Sequence, residues 1–585
     1  ALGRDRTDAT TWRGYRGGRR GHLWVRSDPE APFEQLAPPH ALLDPAWVGG
    51  ALHGIADPDG TPQVVRFDPE RGWRPRTVHP PEAPARHLQA RGDVAVYVAG
   101  PDLFRLGTEG PAAPIPVDVR SPRPERQRRF VDAAHYLEAV DAHPDGARFA
   151  AIVRGKPVVL GWFEGATRQL GVPHGVRYRL PTWVGKDRIA LASAEGGRDG
   201  IAVHDLEGGA TVPLADLDGG RALSMVAEPD GRHLVVRDHR GALWRLPTDG
   251  SSPTEIHRGD RPVEGFDISA DGRWLCYAVE VGRRRGPTQL RLRSLADVAA
   301  DDGTGDVDGS GSGAAGTSTE LVLTSGRYRD LSPSFDPDGS HLFFLSYREF
   351  DPVYDALAFD LGFPRGARPY AIVLDASAPD PFRPPPGPLK PGAMKPPKKP
   401  VALRVDPEGI AQRVVRFPLV EARYHRVVGA GGGKVYLLRS GVKGASGRRM
   451  YDPGPGQADK QLVQWDFEKR RTQVVSEKVS TFGISADRST LWLRAGRVLR
   501  TAPAHPDKTQ LDEVRKGSTR VGRPSGVVDL RRVRVQVDPP REWRQMLHET
   551  ARLMTEHHFD APTGAEVARW LTVFEAQLDR VAGRG

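Results

Sequence analysis

Residues 332–346 read Ser332-Pro333-Ser334-Phe335-Asp336-Pro337-Asp338-Gly339-Ser340-His341-Leu342-Phe343-Phe344-Leu345-Ser346, a tight turn set just ahead of a run of strand formers. Pro fixes φ near the value a turn needs, Asp hydrogen-bonds back to nearby main chain, and Gly takes the positive φ that closes the turn. The chain then returns along residues 369–374. The stretch predicts one antiparallel hairpin unit.

The signature recurs. His143-Pro144-Asp145-Gly146 leads into residues 147–153, Glu228-Pro229-Asp230-Gly231 into 232–236, Ser269-Ala270-Asp271-Gly272 into 274–279, and Ser485-Ala486-Asp487 into 490–493. Weaker copies stand at Val184-Gly185-Lys186-Asp187 and at Gly431-Gly432-Gly433, which makes seven units. Turn positions Gly146, Asp187, Gly231 and Gly272 are 41, 44 and 41 residues apart, close to the period of about 40–45 of a four-stranded propeller blade. The fold class that follows is all-β, with a complete seven-bladed β-propeller over residues 122–535. Two inserts lengthen the later spacings: 295–319, rich in Asp, Gly and Ser, and 376–400, rich in Pro and ending near Lys395, Lys398 and Lys399. The first composition predicts a flexible loop and the second an extended polyproline-type segment.

Residues 1–118 also read as strands, with a further turn at Asp57-Pro58-Asp59-Gly60. They amount to about two and a half blades at this period. An open arc would leave an exposed edge strand, so the rest of a propeller is expected before Ala1 or a neighbour is expected to cover the arc. At the other end Val533, Val535 and Val537 alternate as in a half-buried strand over 531–537, and then the period changes. Trp543, Met546, Leu547, Thr550, Leu553 and Met554 fall on one helical face, and residues 565–582 carry a second stripe through Val567, Trp570, Leu571, Phe574 and Leu578. Two short helices cannot bury such faces alone. Residues 540–585 therefore read as the start of a helical domain.

Charged residues make up 27% of the 585 and hydrophobic ones 38%, enough for a sizeable core. The single cysteine, Cys276, admits no internal disulfide, which suits a reducing, cytoplasmic setting. No apolar run of about 18 residues and no signal peptide is present, so no membrane partner is expected. The first residue is Ala rather than Met, as in a partial chain. A net charge of +10 is carried mainly by arginines dispersed among Asp and Glu. This describes a solvated basic surface rather than a nucleic-acid module, although arginines lining a channel would attract anionic groups such as peptide C-termini.

Motifs that carry chemistry are incomplete. His548-Glu549 opens like HExxH, but Arg552 stands at the second histidine position and His557 is off the one-turn spacing. Asp306-Val307-Asp308-Gly309-Ser310-Gly311 starts like a calcium loop but has Thr317 where a bidentate glutamate is needed. No serine, Ser310 and Ser312 included, stands in GxSxG, and the clusters Gly17-Gly18 and Gly429 to Gly433 lack phosphate-loop spacing. No catalytic residue, metal ligand or cofactor-binding residue is assigned, and no cofactor is expected.

Three segments carry a resemblance to the tricorn protease family: TWRGYRGGRRGHLWV at 11–25, SPSFDPDGSHLFFLSYREFDPVYD at 332–355, and EWRQMLHETARLMTEHHFDA at 542–561. The resemblance implies a cytosolic serine peptidase, assembled as a homohexameric ring, that shortens oligopeptides released by larger proteases. It implies that 1–118 belong to a six-bladed propeller, that 122–535 are a seven-bladed propeller serving as a substrate route, and that the catalytic serine and histidine lie beyond Gly585. His548, His557 and His558 precede the family's histidine segment and do not inherit its role. Arg19-Arg20 does not match the family's basic pair for the substrate carboxylate, which is expected before Ala1. The alternative reading is a non-catalytic propeller scaffold that binds proteins on its blade faces.

Overall fold

The structure is a computed structural model that describes residues 2–4, 22–26, 28–36, 42–57, 59–118, 120–259, 261–282, 286–300, 320–349, 353–355, 360–362, 366–383, 403–441, 460–558 and 564–583. The chain forms two units, Arg128–Gln545 and a smaller one made of Ala1–Gln127 with Met546–Gly585.

In the larger unit the strands form a series of antiparallel sheets, each built from consecutive stretches of chain. The first strands of the seven are Leu137–Ala142, Tyr178–Val184, Ala222–Ala227, Val263–Ile268, Asp330–Phe335, Arg423–Gly431 and Thr481–Ile484. Six of these sheets have four strands and the last has three. The second strands are nearly continuous apolar runs, such as Arg148–Val153 with five of six residues buried. A short run buried on both faces marks a strand covered by a sheet on each side, the condition a propeller blade meets. The seventh sheet packs against the first: Arg494 donates to the Leu137 carbonyl, Thr490 Oγ1 to that of Gly146 at 3.2 Å, and the Asp487 amide to that of Pro144 at 3.0 Å. Trp492 and Leu499 join Leu137 and Phe149 in one core.

The turns form as their residues dictate. The amides of Gly146, Gly231, Gly272 and Gly339 bond to the carbonyls of His143, Glu228, Ser269 and Asp336 at 2.8–2.9 Å, with φ of 70–80°. In the second unit the left-handed residue is Gly185 (φ 67°) and not Asp187, because a side chain is strained there and glycine is not. The first strands of the first six sheets each carry a register shift, for example between Arg179 and Thr182 and between Leu331 and Ser334. Such bulges bend a strand and increase its twist.

Three local readings are corrected. Residues 531–537 are not one strand: Asp529 caps a short 3-10 turn, Leu530–Arg532, and only Val535–Val537 pairs, with Arg129–Val131. Val533, Val535 and Val537 are nevertheless all buried. The 295–319 loop begins with a helix, Leu295–Ala300, whose Leu295 and Val298 share one face and pack beside Ile256 and Tyr277. The last helix, Gly564–Glu575, stops short of residue 582, and the following turns are held by Arg126, which donates to the carbonyls of Leu578, Asp579 and Val581. The calcium-loop-like segment, Ser310 and Ser312, Gly17-Gly18, Arg19-Arg20, and residues 384–400 of the proline-rich insert lie outside the described residues.

The smaller unit contains a three-stranded sheet (Leu2–Arg4, His22–Val25, Glu34–Leu36) and two four-stranded sheets starting at Leu42–Val48 and Ala85–Arg91. The helix Pro539–His557 starts within the larger unit, where its first residues bury Pro539 and Trp543. No helix among the described residues is long and apolar enough to cross a membrane.

Candidate functional site

Counting back five residues from the closing residue of each well-formed turn, Gly146, Gly231, Gly272, Gly339 and Arg488, reaches Asp141, Val226, Asp267, Ser334 and Gly483. All five line one cavity of about 790 Å3 in the larger unit, walled by the first strands of six of its seven sheets. An extended strand occupies roughly 5 by 10 Å in cross-section and advances about 3.3 Å per residue, so the cavity holds on the order of five residues of extended chain.

The same position stitches neighbouring sheets together. Asp141 Oδ2 accepts the Trp183 amide at 2.9 Å, Asp267 Oδ2 the Phe335 amide at 2.8 Å, and Ser334 Oγ the Gly429 amide at 3.2 Å. Burial dominates the titration of both carboxyls, and the amides offset it only in part. It pushes Asp141 up to about 7 and raises Asp267.

Four arginines reach this cavity: Arg237, Arg426, Arg488 and Arg494. Arg237 donates to the Val263 carbonyl at 2.9 Å, Arg426 to that of Phe482 at 2.6 Å, Arg488 to that of Gly429 at 3.2 Å, and Arg494 to those of Gly496 and Leu137. Burial draws all four below the usual arginine range. Arg426 is open to the lumen yet enclosed by protein, so it is accessible and poorly hydrated at once. The two glutamates that line the cavity are balanced, Glu138 by Arg177 at 3.2 Å and Glu264 by Arg329 at 2.8 Å. The wall therefore has a surplus of positive charge, and low-dielectric walls focus such a field.

No nucleophile, base and orienter come together at the residues weighed from sequence. His548 faces Glu575 at 3.2 Å, and Arg552 pairs with Glu556 at 2.9 Å, so the position that HExxH requires for a metal is held by an ion pair. Cys276 is buried and burial raises its thiol far from reactivity. Sequence reasoning missed one cluster, Glu228, Asp230 and His233. There Arg245 already grips both oxygens of Glu228 at 2.7 and 2.8 Å, supplying the cation a metal would have been. The lumen residues were missed too, although their fixed offset from the turns was available.

A family model described as the tricorn protease second beta propeller domain matches residues 314–505. Tricorn protease homolog 1 of Streptomyces coelicolor is 31% identical over 615 residues, which cover 98% of this chain and 53% of the relative. Tricorn protease homolog of Saccharolobus solfataricus is 26% identical over 586 residues, covering 100% of this chain and 50% of the relative. Among solved structures, the crystal structure of the tricorn protease superposes on 99% of this chain and 52% of its own, with a TM-score of 0.78 at 19% identity. That likeness bears on the fold. The chain spans about half the length of the curated relatives it matches. With this β-propeller architecture and these relatives along nearly its whole length, the chain belongs to the tricorn protease family.

Proposed function

We propose that this chain is the propeller portion of a tricorn-type serine peptidase of the cytoplasm, which degrades oligopeptides released by larger proteases. Residues 122–535 form its seven-bladed propeller, 1–118 belong to a six-bladed one, and 540–585 open a helical domain. The chain's own task is to admit and deliver substrate, in a homohexameric assembly whose catalytic residues lie elsewhere. The observation that carries this reading is the cavity of about 790 Å3 walled by first strands. A lumen of that volume holds a few residues of extended peptide and is far too small for a folded domain, whose backbone is committed to its own sheets and helices. Selection is then by unfolding and length. In the intact enzyme a serine would attack the peptide carbonyl, a histidine would carry the proton, and main-chain amides would hold the oxyanion.

The buried Cys276 makes a clean test possible. Val226→Cys places a reactive thiol on the lumen wall. In the peptidase that contains this chain, labelling with a bulky maleimide should slow cleavage of long unfolded peptides. Unchanged turnover would remove the delivery role. The 585-residue protein alone should not cleave fluorogenic peptides, and turnover mapped to one of its residues would refute the assignment.

A further inference from the structure

The lumen is walled by first strands, and each first strand is the inner edge of its sheet. An open edge pairs with extended chain beside it unless a bulge, a proline or an inward charge blunts it. Six of the seven edges are blunted in this way. All six carry a register shift. Pro181 and Pro333 also stand in the second and fifth strands, and Glu138 and Glu264 sit at the bulges of the first and fourth. Three amides of these edges are taken by a neighbouring sheet: that of Trp183 by Asp141, that of Phe335 by Asp267 and that of Gly429 by Ser334.

The seventh first strand, Thr481–Ile484, has none of these devices. It contains no proline and no charge, and its register runs unbroken from Thr481 opposite Arg494 to Ile484 opposite Leu491. Val428, in the place that Ser334 holds one sheet earlier, has no side-chain acceptor for the Ile484 amide. Just beyond the strand the Ser485 amide donates to the Thr490 carbonyl at 2.9 Å. Bonded and non-bonded pairs alternate along an antiparallel ladder, so the N–H and C=O of Phe482 and Ile484 point away from the sheet, into the lumen that all four residues line. Among the described residues these outward groups meet one partner, Arg426, which donates to the Phe482 carbonyl at 2.6 Å and leaves its second lone pair open. The Trp492 indole stands 2.6 Å from where a Cβ of its cross-strand neighbour Gly483 would be, and a ring laid on such a glycine supports the edge. We propose that Thr481–Ile484 is a docking edge which a passing peptide joins as an added β-strand, bonded through its main chain to Phe482 and Ile484. Main-chain pairing gives affinity to chains of many sequences, as a route for mixed peptides requires. This inference rests on the lumen being a peptide route.

The test is calorimetric titration of the 585-residue protein with three acetylated and amidated hexapeptides of alternating Thr and Ala. The first is unmodified. The second is N-methylated at three alternate positions, which leaves one edge of the extended peptide intact, and the third at three adjacent positions, which breaks both edges. The third should bind about tenfold more weakly than the first two. Ile484→Pro removes an outward N–H that the ladder does not use and should bring the first two peptides down to the third. Ile484→Val keeps the N–H and should keep the ranking. If all three peptides bind alike, the docking edge is refuted and the route survives; if none binds, both fall. An Ile484→Pro protein that melts like the parent and keeps the ranking would also overturn the proposal. Should that variant fail to fold, hydrogen exchange of the parent decides: the first peptide must slow exchange at the amides of Phe482 and Ile484, and unchanged exchange there overturns the docking edge.

Discussion

Arg154 clasps Glu542 through two parallel hydrogen bonds, Nε to Oε1 at 2.6 Å and Nη2 to Oε2 at 2.7 Å. The pair joins the first sheet of the larger unit to the first turn of the helix Pro539–His557, where a carboxylate also complements the helix dipole. Both side chains are largely buried, and Glu542 raises Arg154 above the usual arginine range. Glu542→Ala leaves a largely buried guanidinium with the Tyr136 ring face at 4.5 Å as its remaining side-chain partner. Urea unfolding should show a loss of about 1–3 kcal/mol; a change within a few tenths would show that the clasp is idle.

Asp141 makes stability depend on pH in an unusual direction. Its carboxyl titrates near 7 in the folded protein, above its unfolded value, so between roughly pH 4 and 7 the folded state binds the extra proton. This contribution is therefore greatest in acid and is lost as pH rises through about 7. Asp141→Asn keeps an oxygen to accept the Trp183 amide but cannot ionise. The variant should be at least as stable as the parent at pH 8 and should lack part of the decline between pH 5 and 8. Parallel melting curves across that range would rule this out.

Two turn glycines separate backbone strain from crowding. A Cβ at Gly146 would meet Thr490 Oγ1 and Ser489 Oγ of the seventh sheet, whereas one at Gly185 would meet nothing within 4 Å. Both glycines have positive φ, 71° and 67°. Gly185→Ala should cost only the left-handed backbone term, about 1–2 kcal/mol, and Gly146→Ala clearly more because it also wedges the first and seventh sheets apart. Equal losses in chemical denaturation would contradict the closure described here.

The Glu228, Asp230 and His233 cluster should stay indifferent to metals. Arg245 fills the cation position between the carboxylate oxygens, so neither zinc nor a chelator should move the thermal midpoint. A rise on adding zinc would mean that the guanidinium yields its place.

Much of this arrangement could be read from local chemistry. The turn glycines, the spacing of the units and the burial of Val533, Val535 and Val537 follow from φ preferences and the alternation of apolar residues, although only Val535–Val537 is strand. Even the lumen was encoded by register: Asp141, Asp267 and Ser334 each stand five residues before a turn-closing glycine. The rest depends on neighbours distant in sequence. Leu180 and Ser332 sit at φ 52° and 53° inside bulges that no propensity marks. Arg237 and Arg494 come from second strands, and only packing of adjacent sheets brings their heads to the carbonyls of Val263 and Leu137. The helix at 295–300, Leu-Ala-Asp-Val-Ala-Ala, is made of good helix formers and was legible; it was hidden only because it was read together with the Asp-, Gly- and Ser-rich residues that follow it.

The pairing of Arg129–Val131 with Val535–Val537 has a temporal side. During synthesis at about 5–20 residues per second, the earlier strand waits on the order of 20–80 s for its mate. Throughout that interval the strand Arg129–Val131 lies without its partner, so the danger of mispairing is concentrated in the nascent chain rather than in the finished protein.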